Sequence, residues 1–109
     1  MITGTVSRLV TNQNSLVGLE QPVLVVCDMT RRDVLTAVSD YLQKSGLVAN
    51  DLSVELVPVV GFASAKVRRL LAEDEQAGRV SFVIIRDGIV RRYFKTADQD
   101  DFSVHLTSL

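Results

Sequence analysis

The sequence predicts an α/β domain, and three observations carry that prediction. Val23–Cys27 is a continuous apolar run, the pattern of a strand covered on both faces. Val34, Leu35, Val38, Tyr41 and Leu42 then recur at the spacing of one apolar helical stripe. Residues 80–94 read as two strands joined at Asp87-Gly88. A tight primed turn needs positive φ at both central residues, and Asp-Gly supplies it at little cost.

The elements follow in order. Thr5, Val6 and Val10 fall in a short β-branched stretch, residues 5–10, that reads as a strand. Leu16, Val17 and Leu19 suggest a brief helical turn, ended at Pro22, which lacks an amide donor. After the apolar strand, Thr30 stands at an N-cap position with Asp33 three residues on, a capping-box-like pair, so a helix over 30–45 is expected. Gly46 is its natural stop. Residues 52–60 alternate and read as the next strand, with Pro58 near an end or at an edge because it cannot donate to the ladder. Ala63, Val67, Leu70 and Leu71 mark a second helix that ends at Gly78. The hairpin follows. Thr96 and Gln99 then resemble a capping box, and Phe102, Leu106 and Leu109 share one face of an expected final helix. The predicted order is β-α-β-α-β-β-α, with two crossovers that each give a parallel pair and a hairpin that adds an antiparallel one.

Composition bounds the rest. The chain has 109 residues, the size of a single domain over 1–109, and 47% of them are hydrophobic. Twelve basic and 13 acidic side chains leave a formal charge of −1, which provides no global attraction for nucleic acid or anionic lipid. The one cysteine, Cys27, cannot form an intramolecular disulfide, and the one histidine, His105, has no Cys/His cluster around it. No metal and no cofactor are expected. Residues 1–8 lack the basic segment and apolar run of a signal peptide, and no run approaches the ~18–20 residues that span a bilayer. These features predict a soluble protein of a reducing compartment, a bacterial-type cytoplasm.

The central strand leading into a helix, and above all the strand–Asp-Gly–strand close, resemble the thioredoxin-like fold over nearly the whole chain. The resemblance implies a three-layer sandwich, a mixed sheet flanked by helices. It also implies a redox-inactive member. Where that family opens its helix with Cys-x-x-Cys, this chain has Arg31-Arg32-Asp33-Val34-Leu35. The family's cis-proline would fall near Val80 and its buried carboxylate near Val26, and neither is present. Dithiol exchange needs a thiolate and a resolving thiol. The expectation is therefore no enzyme but a protein that binds another protein, as scaffold, regulator or maturation chaperone.

The candidate surface is the C-terminal edge of the first strand: Asp28, Met29, Arg31 and Arg32, with Val80 opposite. Ligands of open α/β sheets gather at such an edge, and a helix N-terminus attracts anions. Solvated arginines and a turn aspartate are the simpler account of the same residues. Arg68, Arg69, Arg91 and Arg92 form a secondary basic set. Without a Gly-rich phosphate loop, and with Tyr93 and Phe94 the only aromatics beside them, solvated or edge-blocking charges explain that set better than nucleic acid does. Cys27 reads as core packing, His105 as a partly exposed helical residue, and Glu73-Asp74-Glu75 as a solvated helix end. Two other functional readings compete: a degenerate receiver-like domain using Asp28 and Asp87, and a small-ligand or nucleic-acid binder using the arginines. Homodimerisation through an edge strand, the last strand of the hairpin, completes the expectations.

Overall fold

A computed structural model describes residues 22–47 and 53–108. They form β1 (Val23–Cys27), α1 (Arg32–Ser45), β2 (Val54–Pro58), α2 (Ala65–Gln76), β3 (Arg79–Arg86), β4 (Ile89–Thr96) and β5 (Ser103–Ser108). The strand and helical turn expected before Pro22, and the start of the second strand at Leu52, lie outside the described residues.

The strands make one mixed sheet in the order β2-β1-β3-β4-β5. β1 is central and nearly all buried, as its unbroken apolar run requires. It pairs in parallel with β2, Val23 opposite Val54 and Cys27 opposite Pro58. β3 lies on its other side but runs antiparallel, Val25 opposite Ile84. Only the first crossover therefore gives a parallel pair. β2 ends and β3 begins at the same end of the sheet. Helical periodicity tells which face of α2 is buried, not the direction of the strand that follows it.

The two sheet faces carry separate cores, one under each helix. Val34, Val38 and Leu42 of α1 pack on Val23, Val25, Cys27, Val80, Phe82, Ile84 and Tyr93. Val67 and Leu71 of α2 pack on Val26, Val83 and Val90. Alternate residues of each strand thus serve opposite helices.

Local chemistry sets the ends. Ser64 caps α2, accepting a hydrogen bond from the Val67 amide at 3.2 Å. α1 begins differently from the expectation: Arg31 is its N-cap, with no side-chain cap bond, and Thr30 is held by Asp28 instead. Asp28 accepts from the Thr30 amide at 3.0 Å, a local turn that outcompetes the cap. Gly46 closes α1 at φ 76°, where a Cβ would be strained. The hairpin forms as expected, with Arg86 opposite Ile89 and Asp87 and Gly88 at φ 54° and 77°.

The expected last helix is absent; residues Ser103–Ser108 form a strand antiparallel to β4. The Thr96/Gln99 pair does make part of the anticipated bonding. The Thr96 amide donates to Gln99 Oε1 at 2.9 Å, and the Gln99 amide donates to the Thr96 carbonyl at 3.1 Å. The pair closes a turn between strands rather than opening a helix. The alternation Phe102-Ser103-Val104-His105-Leu106-Thr107 has period two, and the open flank of β4 supplies the ladder that this period needs. The last strand of the hairpin, β4, is consequently interior, and the edge expected there has moved to β5.

Candidate functional site

On the α1 face, β5 widens the sheet without covering it, and a groove of about 680 Å³ remains between α1 and the β4–β5 connection. Its floor is apolar: Ala37 and Tyr41 from α1, Val80 from β3, Phe102 and Val104 from the last strand and its approach. Below lies an aromatic cluster in which Phe82 stacks on Tyr93 at 5.0 Å and meets Phe102 edge-on at 5.1 Å. The Tyr41 and Tyr93 hydroxyls are hydrogen-bonded at 3.1 Å. Burial first, and that bond second, raise the Tyr93 pKa above the ordinary phenol range.

The rim is acidic. Asp33 and Asp40 stand on α1 and Asp100 and Asp101 on the opposite bank, against Lys44 and Lys95. The opposite bank is pinned by the Thr96–Gln99 turn and by Lys95 Nζ, which donates to the Gln99 carbonyl at 3.0 Å. The Arg31 guanidinium donates to Asp33 at 2.6 and 3.2 Å and holds its carboxyl below the usual range.

The candidate surface read from the sequence divides. Val80 is buried and lines the groove. Asp28 and Arg31 line a separate cavity of about 90 Å³ with Arg68, Glu75 and the buried Ser81. Arg31 is committed to Asp33, Arg32 is exposed, and Met29 is partly exposed beside them. Asp33 bridges the two regions, because it touches Arg31 and lines the groove.

The secondary basic set does not form one patch. Arg91 and Arg92 lie on opposite faces of β4, as strand alternation demands. Arg68 donates to the Phe62 carbonyl, and Arg69 is exposed on α2. Arg92 grips Asp74, and here the reading of Glu73-Asp74-Glu75 as a solvated end is corrected. Asp74 is fully buried on the inner face of α2, in line with Val67 and Leu71. It accepts from Arg92 Nε at 2.9 Å, from Arg92 Nη2, and from Arg79 Nη1 at 3.1 Å. The helical spacing of Val67, Leu71 and Asp74 was the available signal; the partners, Arg79 and Arg92, are supplied by β3 and β4.

His105 is exposed on β5, not on a helix, and meets the Phe94 ring edge-on at 4.9 Å. Asp28 follows the end of β1, whereas Asp87 lies beyond its start, because Leu24 is opposite Ile85. The two carboxylates stand at opposite ends of the sheet and do not converge on a shared cation.

Cys27 is fully buried, and burial, with Asp28 second, pushes its thiol up to about 11. We expect no labelling by iodoacetamide in the folded protein at pH 8 and full labelling in denaturant. The unfolded thiol titrates at 9.0 and the folded one at about 11. Its contribution to stability is complete below pH 9 and is lost as pH rises toward 11. Thermal melts across that window should show a fall that is smaller in Cys27→Ala; rapid native labelling would contradict the burial.

Among the described residues, no group of His, Cys, Asp or Glu is placed to hold a metal ion, and no helix is long and apolar enough to cross a membrane. Compared with known proteins, the chain matches no family model, no curated protein and no solved structure.

Proposed function

We propose that this chain is a non-catalytic, thioredoxin-like binding module that holds a segment of another protein in the groove beside α1. The observation that carries the proposal is the groove itself: a volume of about 680 Å³ with an apolar floor and a rim of four aspartates and two lysines. Such a site suits a segment with apolar anchors flanked by Lys or Arg. The thioredoxin-like part of the reading is supported by the central strand entering α1 and by the closing Asp-Gly hairpin. The substitution of β5 for a final helix departs from the order that the resemblance implies, and it is what leaves the groove open.

The test is selection of a random peptide library displayed on phage against the full chain. Peptides pairing Lys or Arg with apolar residues should be enriched. Asp40→Lys and Thr36→Trp, both on the groove wall, should weaken the selected peptides at least about tenfold, the size of a lost charge contact or a blocked pocket. Arg31→Glu/Arg32→Glu should leave them bound. The reverse pattern would move the interface to the edge at Asp28–Arg32, and no enrichment would sink the proposal.

A further inference from the structure

The two edges of the sheet are unlike. β2 carries Glu55 and Pro58, a charge and a residue without an amide donor, the usual guards against pairing with another chain. β5 reads Ser103-Val-His-Leu-Thr-Ser108, with no Pro, Gly, Lys, Arg, Asp or Glu. Among the described residues no strand pairs with its outer side. Val104 and Leu106, 47% and 68% exposed, lie on the α1 face of that edge, and Ile89, also exposed, is on the same face of β4.

We infer that β5 is the interface for a second copy of this chain, joined antiparallel across a two-fold axis. Like faces align only when residues of equal parity are opposed. Setting His105 on the axis meets this condition and puts Val104 of each copy opposite Leu106 of the other. The ends are complementary as well. Asp100 and Asp101 precede β5, whereas at its far end Lys66 Nζ donates to the Ser108 carbonyl at 2.6 Å. Antiparallel pairing brings the acidic end of each strand beside the basic end of its mate, twice per dimer. A parallel arrangement would set like charges together. The result is one continuous sheet with both α1 grooves on the same side. The inference does not rest on the groove's being a binding site.

Sedimentation of the full chain over a concentration series, with hydrogen exchange on the same samples, tests it. We expect a dimer whose β5 amides are protected. Leu106→Lys should raise the dissociation constant at least about tenfold with an unchanged circular dichroism spectrum, whereas Leu56→Lys on the guarded edge should not. Asp101→Lys and Lys66→Glu should each weaken the dimer, and their combination should restore it. A monomer at every concentration would overturn the inference. If its β5 amides were protected, the edge would belong to the chain's own residues; if they exchanged freely, the edge would await a different protein. A dimer indifferent to Leu106→Lys would overturn it too, by placing the interface elsewhere.

Discussion

Phe82→Ala is expected to destabilise the fold by about 3–5 kcal/mol, the range for emptying a fully buried aromatic site. Phe82 is completely buried. It stacks nearly parallel to Tyr93, 7° between planes, meets Phe102 edge-on and lies 5.6 Å from Tyr41. Each such pair adds about 0.5–1.5 kcal/mol beyond area burial, so the site cannot relax without loosening three neighbours. Two of those neighbours, Tyr41 and Phe102, form the groove floor. Any bound peptide should therefore weaken along with the stability. Urea unfolding of the full chain measures the change, and Phe82→Leu should cost clearly less because it refills most of the volume. A loss under about 1 kcal/mol for the alanine variant would mean that the aromatic cluster is not the centre of the core.

Asp74→Ala is expected to cost a similar amount, about 3–5 kcal/mol, for an electrostatic reason. The carboxylate is fully buried and satisfied by two guanidinium groups. The Arg92 side chain is only 17% exposed and also lies over the Phe94 ring at 4.5 Å. Removing the carboxylate strands that charge against β4. Arg79 is more than a third exposed and turns to water, so the penalty falls mainly on Arg92. The ion pair ties α2 to β4. Replacing both partners, Asp74→Leu/Arg92→Leu, should recover most of the loss, since a buried pair stabilises little relative to apolar groups of similar size. A double-mutant cycle in urea reads the coupling. Additive single changes would show that the pair is not the tie that the geometry describes.

Much of the architecture is legible in the sequence. β1, both helices and the hairpin turn depend on interactions within a few residues. An apolar run, a stripe at helical spacing and an Asp-Gly pair each state a local preference that packing then uses unchanged. The last segment was misread because its apolar residues satisfy two periods at once. Phe102 and Leu106 are one helical turn apart, yet Phe102, Val104 and Leu106 also alternate, and only the open flank of β4 decides between them.

The site was less legible than the fold. Val80 was singled out opposite the edge at β1, but the groove it lines also needs Phe102, Val104, Asp100 and Asp101, which reach it only once β5 pairs. Asp74 looked solvated among acidic neighbours because its partners, Arg79 and Arg92, are brought to it by the sheet. By itself the sequence determined the elements whose cause is local: the buried central strand, the two amphipathic helices and the turn at Asp87-Gly88. The tertiary structure alone decided the direction of β3, the strand identity of residues 103–108, the pairing of Asp74 with Arg92 and the open groove. Each of these depends on which surface a segment meets, and no short-range preference encodes that.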